Sequence, residues 1–138
     1  MRKVIFLEYK LGDYDTKVLY SSGANEVVAW MERLTPKWLK QLNDWGVKTS
    51  LCFSAFTDDN CPFDPIQKNK LNKLLKQAIE YRPSGIILDH FRFRGRWEQS
   101  DEKLKYVLAH EPCRYCRGLD KGKKLAEIAV WIKKEIPS

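Results

Sequence analysis

The stretch "GIILDHFRFRGRWE", from Gly85 to Glu98, changes character half-way along its length. Its first residues are apolar and β-branched, which predicts a buried strand over "GIILDHFRF". The same segment then reaches Asp89, His90 and Arg92, followed by a glycine between two arginines. A buried strand that finishes in charged residues predicts that its end forms the wall of a site.

Three further segments have the composition of strands. None shows a helical period, and all are rich in β-branched and aromatic residues: "VIFLEY" (4–9), "VVAWMERL" (27–34) and "VKTSLCFSAF" (47–56). Near-continuous apolar strands separated by helices are typical of a parallel sheet covered on both faces. The sequence therefore predicts an α/β fold built from four parallel β/α units.

The predicted helices between these strands have recognisable ends. Thr35 and Asp64 are placed to cap helices that begin with a proline, and a last helix begins near Asp120. The apolar side of that last helix is predicted to carry Leu125, Ile128, Ala129, Ile132 and Ile136. Between the first two strands, "LGDYDTKVLYSSGANE" is turn-rich and predicts a loop with at most one helical turn.

The composition of the chain limits the classes of protein to which it can belong. The chain has 138 residues, 43% hydrophobic and 31% charged, and no linker-like segment, which predicts a single globular domain over residues 1–138. No apolar run approaches the roughly 20 residues of a membrane span, so no membrane partner is predicted and we expect a cytoplasmic protein. The net charge of +7 is compatible with nucleic acid, although lysines on helix faces are usually just solvated.

Acidic residues follow each predicted strand. Glu8 ends the first, Glu32 the second, Asp58 follows the third, and Asp89 with His90 ends the fourth. Because ligands bind at the carboxyl ends of parallel strands, we expect these side chains to line one polar rim. The alternative is that Asp89 forms a purely structural ion pair with Arg92.

Several motifs are similar to those of a known family. "GIILDHFRFRG" resembles the fourth-strand motif of (β/α)8-barrel proteins similar to glycoside hydrolases, in which a Gly-hydrophobic-hydrophobic-Leu-Asp segment leads to Arg-Phe and a glycine. "ANEVVAWMERLTPKWLKQLNDWGVKTSLCFSAF" resembles their second and third barrel units, and "EPCRYCRGLDKGKKLAEIAVWIKKEIP" the loop and helix after the fourth strand. Since such a TIM barrel needs eight strands and about 250 residues, the resemblance implies a half-barrel, and dimerisation is one way to complete it.

The resemblance implies a function at the rim. Asp89 would be one catalytic carboxylate, oriented by Arg92, and glycoside hydrolysis needs a second carboxyl group, for which Glu8, Glu32 and Asp58 are the candidates. Independently of the resemblance, Trp97 follows the strand in a loop, where an exposed ring is suited to stack on a sugar face or a base, and Arg94 and Arg96 suit a phosphate or an acidic sugar. The predicted ligand is a carbohydrate or a small anion, and the predicted substrate-binding residues are Arg92, Arg94, Trp97, Asp58 and His90.

The cysteines suggest a structural zinc ion. Cys113 and Cys116 have the spacing of a zinc knuckle, and Cys61 and His110 would complete a three-cysteine, one-histidine site. The competing interpretations are a disulfide of Cys61, which a cytoplasmic location disfavours, and unligated thiols.

Two functions other than glycoside hydrolysis stay open. In the first, the same rim binds carbohydrate or an anion without catalysis. In the second, the basic loops form a nucleic-acid surface with the cysteine pair as its support, and the residues involved are Arg94, Arg96, Arg114 and Arg117.

Overall fold

The structure, a computed structural model, describes residues 2–8, 16–56, 61–91, 114–115 and 120–136. In this part of the chain four strands alternate with helices: β1 (Val4–Leu7), α1 (Thr16–Ser21), β2 (Glu26–Trp30), α2 (Pro36–Asp44), β3 (Lys48–Ser54), α3 (Pro65–Glu80), β4 (Gly85–Asp89) and α4 (Lys121–Glu135). None of these helices is long and apolar enough to cross a membrane.

The strands form one parallel sheet in the order β1-β2-β3-β4. The predicted α/β class with four parallel strands is therefore confirmed. Contacts divide the chain into two compact units, the first comprising Met1–Phe53 with Lys76–Asp89 and the second Ser54–Leu75 with His90–Ser138. The sheet belongs to the first unit, except for Ser54 at the end of β3.

The register of the strands divides their side chains between two faces. Val4 pairs with Glu26, Glu26 with Lys48, and Trp30 with Cys52. Because successive side chains alternate, one face, here named the Cys52 face, carries Val4, Phe6, Glu26, Val28, Trp30, Lys48, Ser50 and Cys52. The opposite face, named the Leu51 face, carries Ile5, Leu7, Val27, Ala29, Thr49, Leu51 and Phe53.

A close contact between the backbone of β4 and a side chain of β3 shows which face each residue of β4 lies on. A methyl group on Gly85 would lie 2.9 Å from Ser50 Oγ, so Gly85 lies beside Ser50 on the Cys52 face. Ser84 N also donates to Thr49 O at 2.8 Å. Alternation along β4 then places Ile87 and Asp89 on the Cys52 face.

Burial differs between the two faces. Leu7, Leu51 and Phe53 on the Leu51 face are at most 1% exposed. In a parallel sheet that follows chain order, right-handed crossovers all lie on one face, and the burial identifies it as the Leu51 face for α1 and α2. On the Cys52 face, by contrast, the edge strands expose apolar side chains: Val4 and Phe6 are each 47% exposed and Ile87 is 40% exposed.

The predicted helix caps at Thr35 and Asp64 are confirmed. Thr35 Oγ1 accepts from Trp38 N at 3.3 Å, and Asp64 Oδ1 accepts from Ile66 N at 2.9 Å. The last helix begins where predicted, and there Asp120 Oδ1 accepts from Lys123 N at 3.1 Å. Each side-chain oxygen satisfies a backbone donor that the first turn of a helix leaves unpaired.

Beyond differences of one or two residues at the ends of β1 and β3, four predicted segments differ from the structure. The second strand ends at Trp30 rather than Leu34, because Met31–Arg33 form a 3-10 turn that Leu34 N closes onto Met31 O at 3.3 Å. The first connection contains the six-residue helix α1 instead of a loop with at most one turn. Tertiary packing stabilises it, since Leu19 is buried and the Tyr20 ring contacts Trp45 edge-on at 6.1 Å between centroids.

The other two differences are smaller. The fourth strand ends at Asp89, where His90 takes up a left-handed backbone conformation with a φ of 50°. In α4, Ile132 is buried and Leu125, Ile128 and Ile136 are half-buried, whereas Ala129 on the same side is exposed.

The close approach of β4 to β3 predicts the effect of one substitution. Gly85→Ala should lower the free energy of unfolding by about 1–3 kcal/mol, because the new methyl group overpacks against Ser50 Oγ. Removing that oxygen by Ser50→Ala should reduce the penalty of Gly85→Ala, whereas Thr49→Ala on the opposite face should not. Urea unfolding of the single and double variants measures both couplings, and equal penalties in the two backgrounds would contradict this register.

Candidate functional site

Three predicted acidic residues lie at the carboxyl ends of their strands. Glu8 follows β1 and Glu32 lies in the 3-10 turn after β2, and both are exposed. Asp89 is the last residue of β4 and is half-buried. The parallel arrangement brings these three strand ends to the same edge of the sheet, named here the carboxyl edge.

The pKa of the Cys52 thiol depends on carboxylates at this edge. Cys52 is a free thiol on β3 with 2% of its surface exposed. Burial, followed by the negative charges of Asp89 and Glu32, raises the pKa of Cys52 to about 11. A carboxylate disfavours the thiolate only when it lies nearby, since charge interactions weaken with distance and with screening. Asp89 and Glu32 are therefore the two carboxylates whose charges act on this thiol.

The strand register explains this convergence. Trp30 pairs with Cys52, and Glu32 follows two residues beyond that pair, where the 3-10 turn redirects the chain. Asp89 lies on the Cys52 face because side chains alternate between the two faces along β4 and Gly85 lies on that face. Two acids far apart in the sequence are thus brought to one buried sulfur by strand pairing alone.

An aromatic pair lies on the same face of the sheet. Phe6 and Trp30 contact edge to face, with 6.2 Å between ring centroids. Phe6 is 47% exposed and Trp30 is half-buried, and Trp30 lies only two residues before Glu32. Aromatic surface beside carboxylates is the combination that sugar rings require, since they present apolar C–H faces and hydroxyl edges.

The second unit contains a separate polar contact next to β4. His90 Nδ1 lies 3.4 Å from Ser54 Oγ, and both side chains are half-buried. His90 is one of two non-glycine residues with positive φ in the described part of the chain. A conformation of this kind costs free energy and is often retained at functional sites, which agrees with the selection of His90 as a candidate.

The opposite, amino-terminal edge of the sheet holds a polar network that the sequence did not reveal. Glu26 is only 7% exposed, and its carboxylate accepts from Arg2 Nε at 2.7 Å and from Ser50 Oγ at 2.9 Å. The hydrogen bonds from Arg2 and Ser50 lower the pKa of Glu26 below its usual value. Because its partners satisfy this acid, we assign the network to the stability of the sheet.

The remaining predicted site residues lie outside the described residues. These are Asp58, Arg92, Arg94, Trp97, His110, Cys113 and Cys116. Cys61 is described and lies buried in the second unit. Among the residues that the structure describes, no three His, Cys, Asp or Glu side chains are grouped so as to hold a metal ion. The zinc site stays a prediction.

The chain was also compared with known proteins. No protein-family model, no curated protein and no solved structure matches it. Inferences about its function therefore rest on the residues of the carboxyl edge.

The raised pKa of Cys52 yields a direct test of this edge. With a pKa of about 11, only about 1% of the thiol is ionised at pH 9, so alkylation by iodoacetamide should be slow, because the thiolate is the nucleophile. Asp89→Asn and Glu32→Gln each remove a negative charge and should lower this pKa. The rate at pH 9 should rise about threefold for each half-unit decrease, as measured by peptide mapping of Cys52.

The exposed Glu80, at the end of α3, provides the matched control. Glu80→Gln should leave the alkylation rate of Cys52 unchanged. Amide hydrogen exchange at Cys52 should be equal in all variants, which separates a change in pKa from an opening of the fold. Unchanged rates in both Asp89→Asn and Glu32→Gln would show that these carboxylates do not lie near the thiol.

Proposed function

We propose that this chain is a glycoside-hydrolase-like domain that binds carbohydrate at the carboxyl edge of its sheet. The observation that carries the proposal is that Glu32 follows β2 and Asp89 ends β4, the two strands on either side of β3, so that both acids lie at the same edge of the sheet. The effect of both charges on the pKa of Cys52 supports it. The position of the edge supports it further, since parallel sheets bind ligands where their strands end.

Two carboxyl groups are the chemical requirement for cleaving a glycosidic bond. One donates a proton to the leaving oxygen while the other acts as a nucleophile or activates water, depending on their separation. Asp89 and Glu32 are the proposed pair, with Glu8 on the neighbouring strand as the alternative to Glu32. Trp30, which is half-buried and lies two residues before Glu32, would supply apolar surface for the face of a sugar ring. The site residues outside the described part of the chain, Arg92 and Trp97 among them, keep their proposed roles in binding.

Binding without catalysis is the second proposal for the same edge. Carboxylates that hydrogen-bond to sugar hydroxyls recognise a carbohydrate whether or not the geometry permits hydrolysis. The exposed lysines of α3 and the net charge of +7 keep nucleic acid as an alternative ligand. These possibilities are separate outcomes of the functional experiment.

We further propose that a second copy of the chain completes the half-barrel. The strands follow the order found in (β/α)8 barrels, and the two edge strands expose Val4, Phe6 and Ile87 on the same face. A two-fold axis along the strands would place β4 of each copy beside β1 of the other, with parallel pairing at both new contacts. Such closure would bury these apolar side chains and place both carboxyl edges on one rim.

The functional experiment compares turnover with binding. Hydrolysis of a panel of 4-nitrophenyl glycosides detects catalysis, and saturation-transfer NMR with soluble oligosaccharides detects binding. Asp89→Asn and Glu32→Gln should lower turnover by about a hundredfold or more, as expected when an acid or base catalyst is lost. Glu80→Gln should have no effect, because Glu80 ends a helix and does not follow a strand.

The outcomes of this experiment are distinct. Oligosaccharide binding that Asp89→Asn weakens, without turnover, would support the non-catalytic proposal. Binding of an oligonucleotide that falls steeply with added salt would favour nucleic acid, because phosphate contacts release counterions. If no carbohydrate binds and no glycoside is cleaved, the proposed function is wrong.

Closure by a second copy has its own test. Native mass spectrometry and light scattering over a range of concentrations should detect a dimer, and Phe6→Glu should dissociate it by placing a charge in the buried interior. Val18 on α1 is 61% exposed and is not part of either edge strand, so Val18→Glu should leave the dimer intact. A monomer at every concentration, or equal effects of the two variants, would contradict the proposal.

A further inference from the structure

The second unit contains a pocket of its own. It has a volume of about 310 Å³, near the lower end of the roughly 300–1,000 Å³ typical of ligand sites. Its walls come from the segment after β3, the first turns of α3 and the middle of α4, and the lining residues are Phe56, Pro62, Phe63, Pro65, Lys68, Leu71, Glu127, Ile128 and Trp131. The pocket is thus mainly apolar and aromatic, with one cation and one anion.

The two charged residues of the pocket differ in their partners. The carboxylate of Glu127 accepts from Lys124 Nζ at 2.6 Å on the same helix, which offsets its charge. Lys68 Nζ lies 5.2 Å from the centroid of the Trp131 ring. Among the residues that the structure describes, no carboxylate pairs with Lys68. The pocket therefore presents an ammonium group whose close neighbour is an aromatic ring.

We propose that this pocket binds a small carboxylate that carries an aromatic or branched apolar group. The carboxylate pairs with Lys68, and the apolar group lies against Phe63, Ile128 and Trp131. The volume is suited to a single ring with a short side chain. Trp131 keeps the Lys68 ammonium beside the apolar wall, so one ligand can contact both.

The charges of the pocket favour an acid over a neutral or cationic analogue. Lys68 and Lys124 supply two positive charges, against one negative charge from Glu127, so the local balance is positive. An acid gains a charge-assisted hydrogen bond to Lys68 that its amide cannot match. An amine of the same shape meets the ammonium of Lys68 and is repelled.

Phenylacetate, phenylacetamide and phenethylamine are matched probes for this selectivity. Their dissociation constants can be measured from chemical-shift changes of the Trp131 indole N–H and of the backbone amides along α3 and α4. Phenylacetate should bind about tenfold more tightly than phenylacetamide, which is the usual effect of one charged hydrogen bond. Phenethylamine should bind more weakly than either.

Variants of α3 test the role of Lys68 itself. Lys68→Met keeps the length and apolar stem of the side chain and removes its charge, so phenylacetate should lose about tenfold in affinity while phenylacetamide is unaffected. Lys68→Gln is a second variant that should behave in the same way. Lys70→Met removes an exposed charge from the same helix but does not line the pocket, and it should keep the preference for the acid.

Three results would overturn the proposal. The first is equal affinity for acid and amide, or no detectable binding of phenylacetate. The second is an acid preference that survives in both Lys68 variants, provided their spectra show an intact fold. The third is shift changes that lie away from α3 and α4. None of these results affects the proposal for Asp89 and Glu32, which belong to the other unit.

Discussion

Parallel pairing in chain order is the constraint on which the arrangement of this protein depends. Each strand must start at the same edge of the sheet as the one before it, so every connection returns along the sheet and every strand ends at the opposite edge. The close contact between Gly85 and Ser50 extends this order to β4, because only a residue without a side chain permits it. With the strands in this order, β2 and β4 lie on either side of β3, so Glu32 and Asp89 lie at the ends of strands that finish near the same part of β3. Cys52 is a buried residue of β3, between those two strands.

Local signals were sufficient to predict much of the fold. Thr35 and Asp64 cap helices because a hydroxyl or carboxylate before a proline-initiated turn has few other roles, and apolar β-branched runs identified all four strands. The strand ends were less accurate, since Met31 and Leu34 are as apolar as strand residues but are buried through a 3-10 turn. Helix α1 was missed because its stability depends on the contact of Tyr20 with Trp45, which a reading of local sequence does not include.

The candidate site was predictable in part, for the same reason. Asp89 and Glu32 could be chosen as site candidates from the sequence because each acid follows an apolar strand. Their common effect on Cys52 depends on the strand register, which the spacing of residues in the sequence does not give. The predicted third strand, 47–56, contains Cys52, but the response of this thiol to nearby charge is a property of the folded protein. The same holds for the pocket of Lys68 and Trp131, whose walls lie more than fifty residues apart in the chain.

We propose that Asp89, at the end of β4, binds a ligand and that its charge contributes little to the stability of the fold. The free energy of unfolding of Asp89→Asn, measured in urea against the wild-type protein, tests it most directly. We expect a change of less than about 1 kcal/mol, because a half-buried polar group at an open sheet edge is solvated in its neutral form as well. A loss of about 3–5 kcal/mol would contradict the claim, since a penalty of that size indicates a broken buried ion pair and would make Asp89 part of the scaffold.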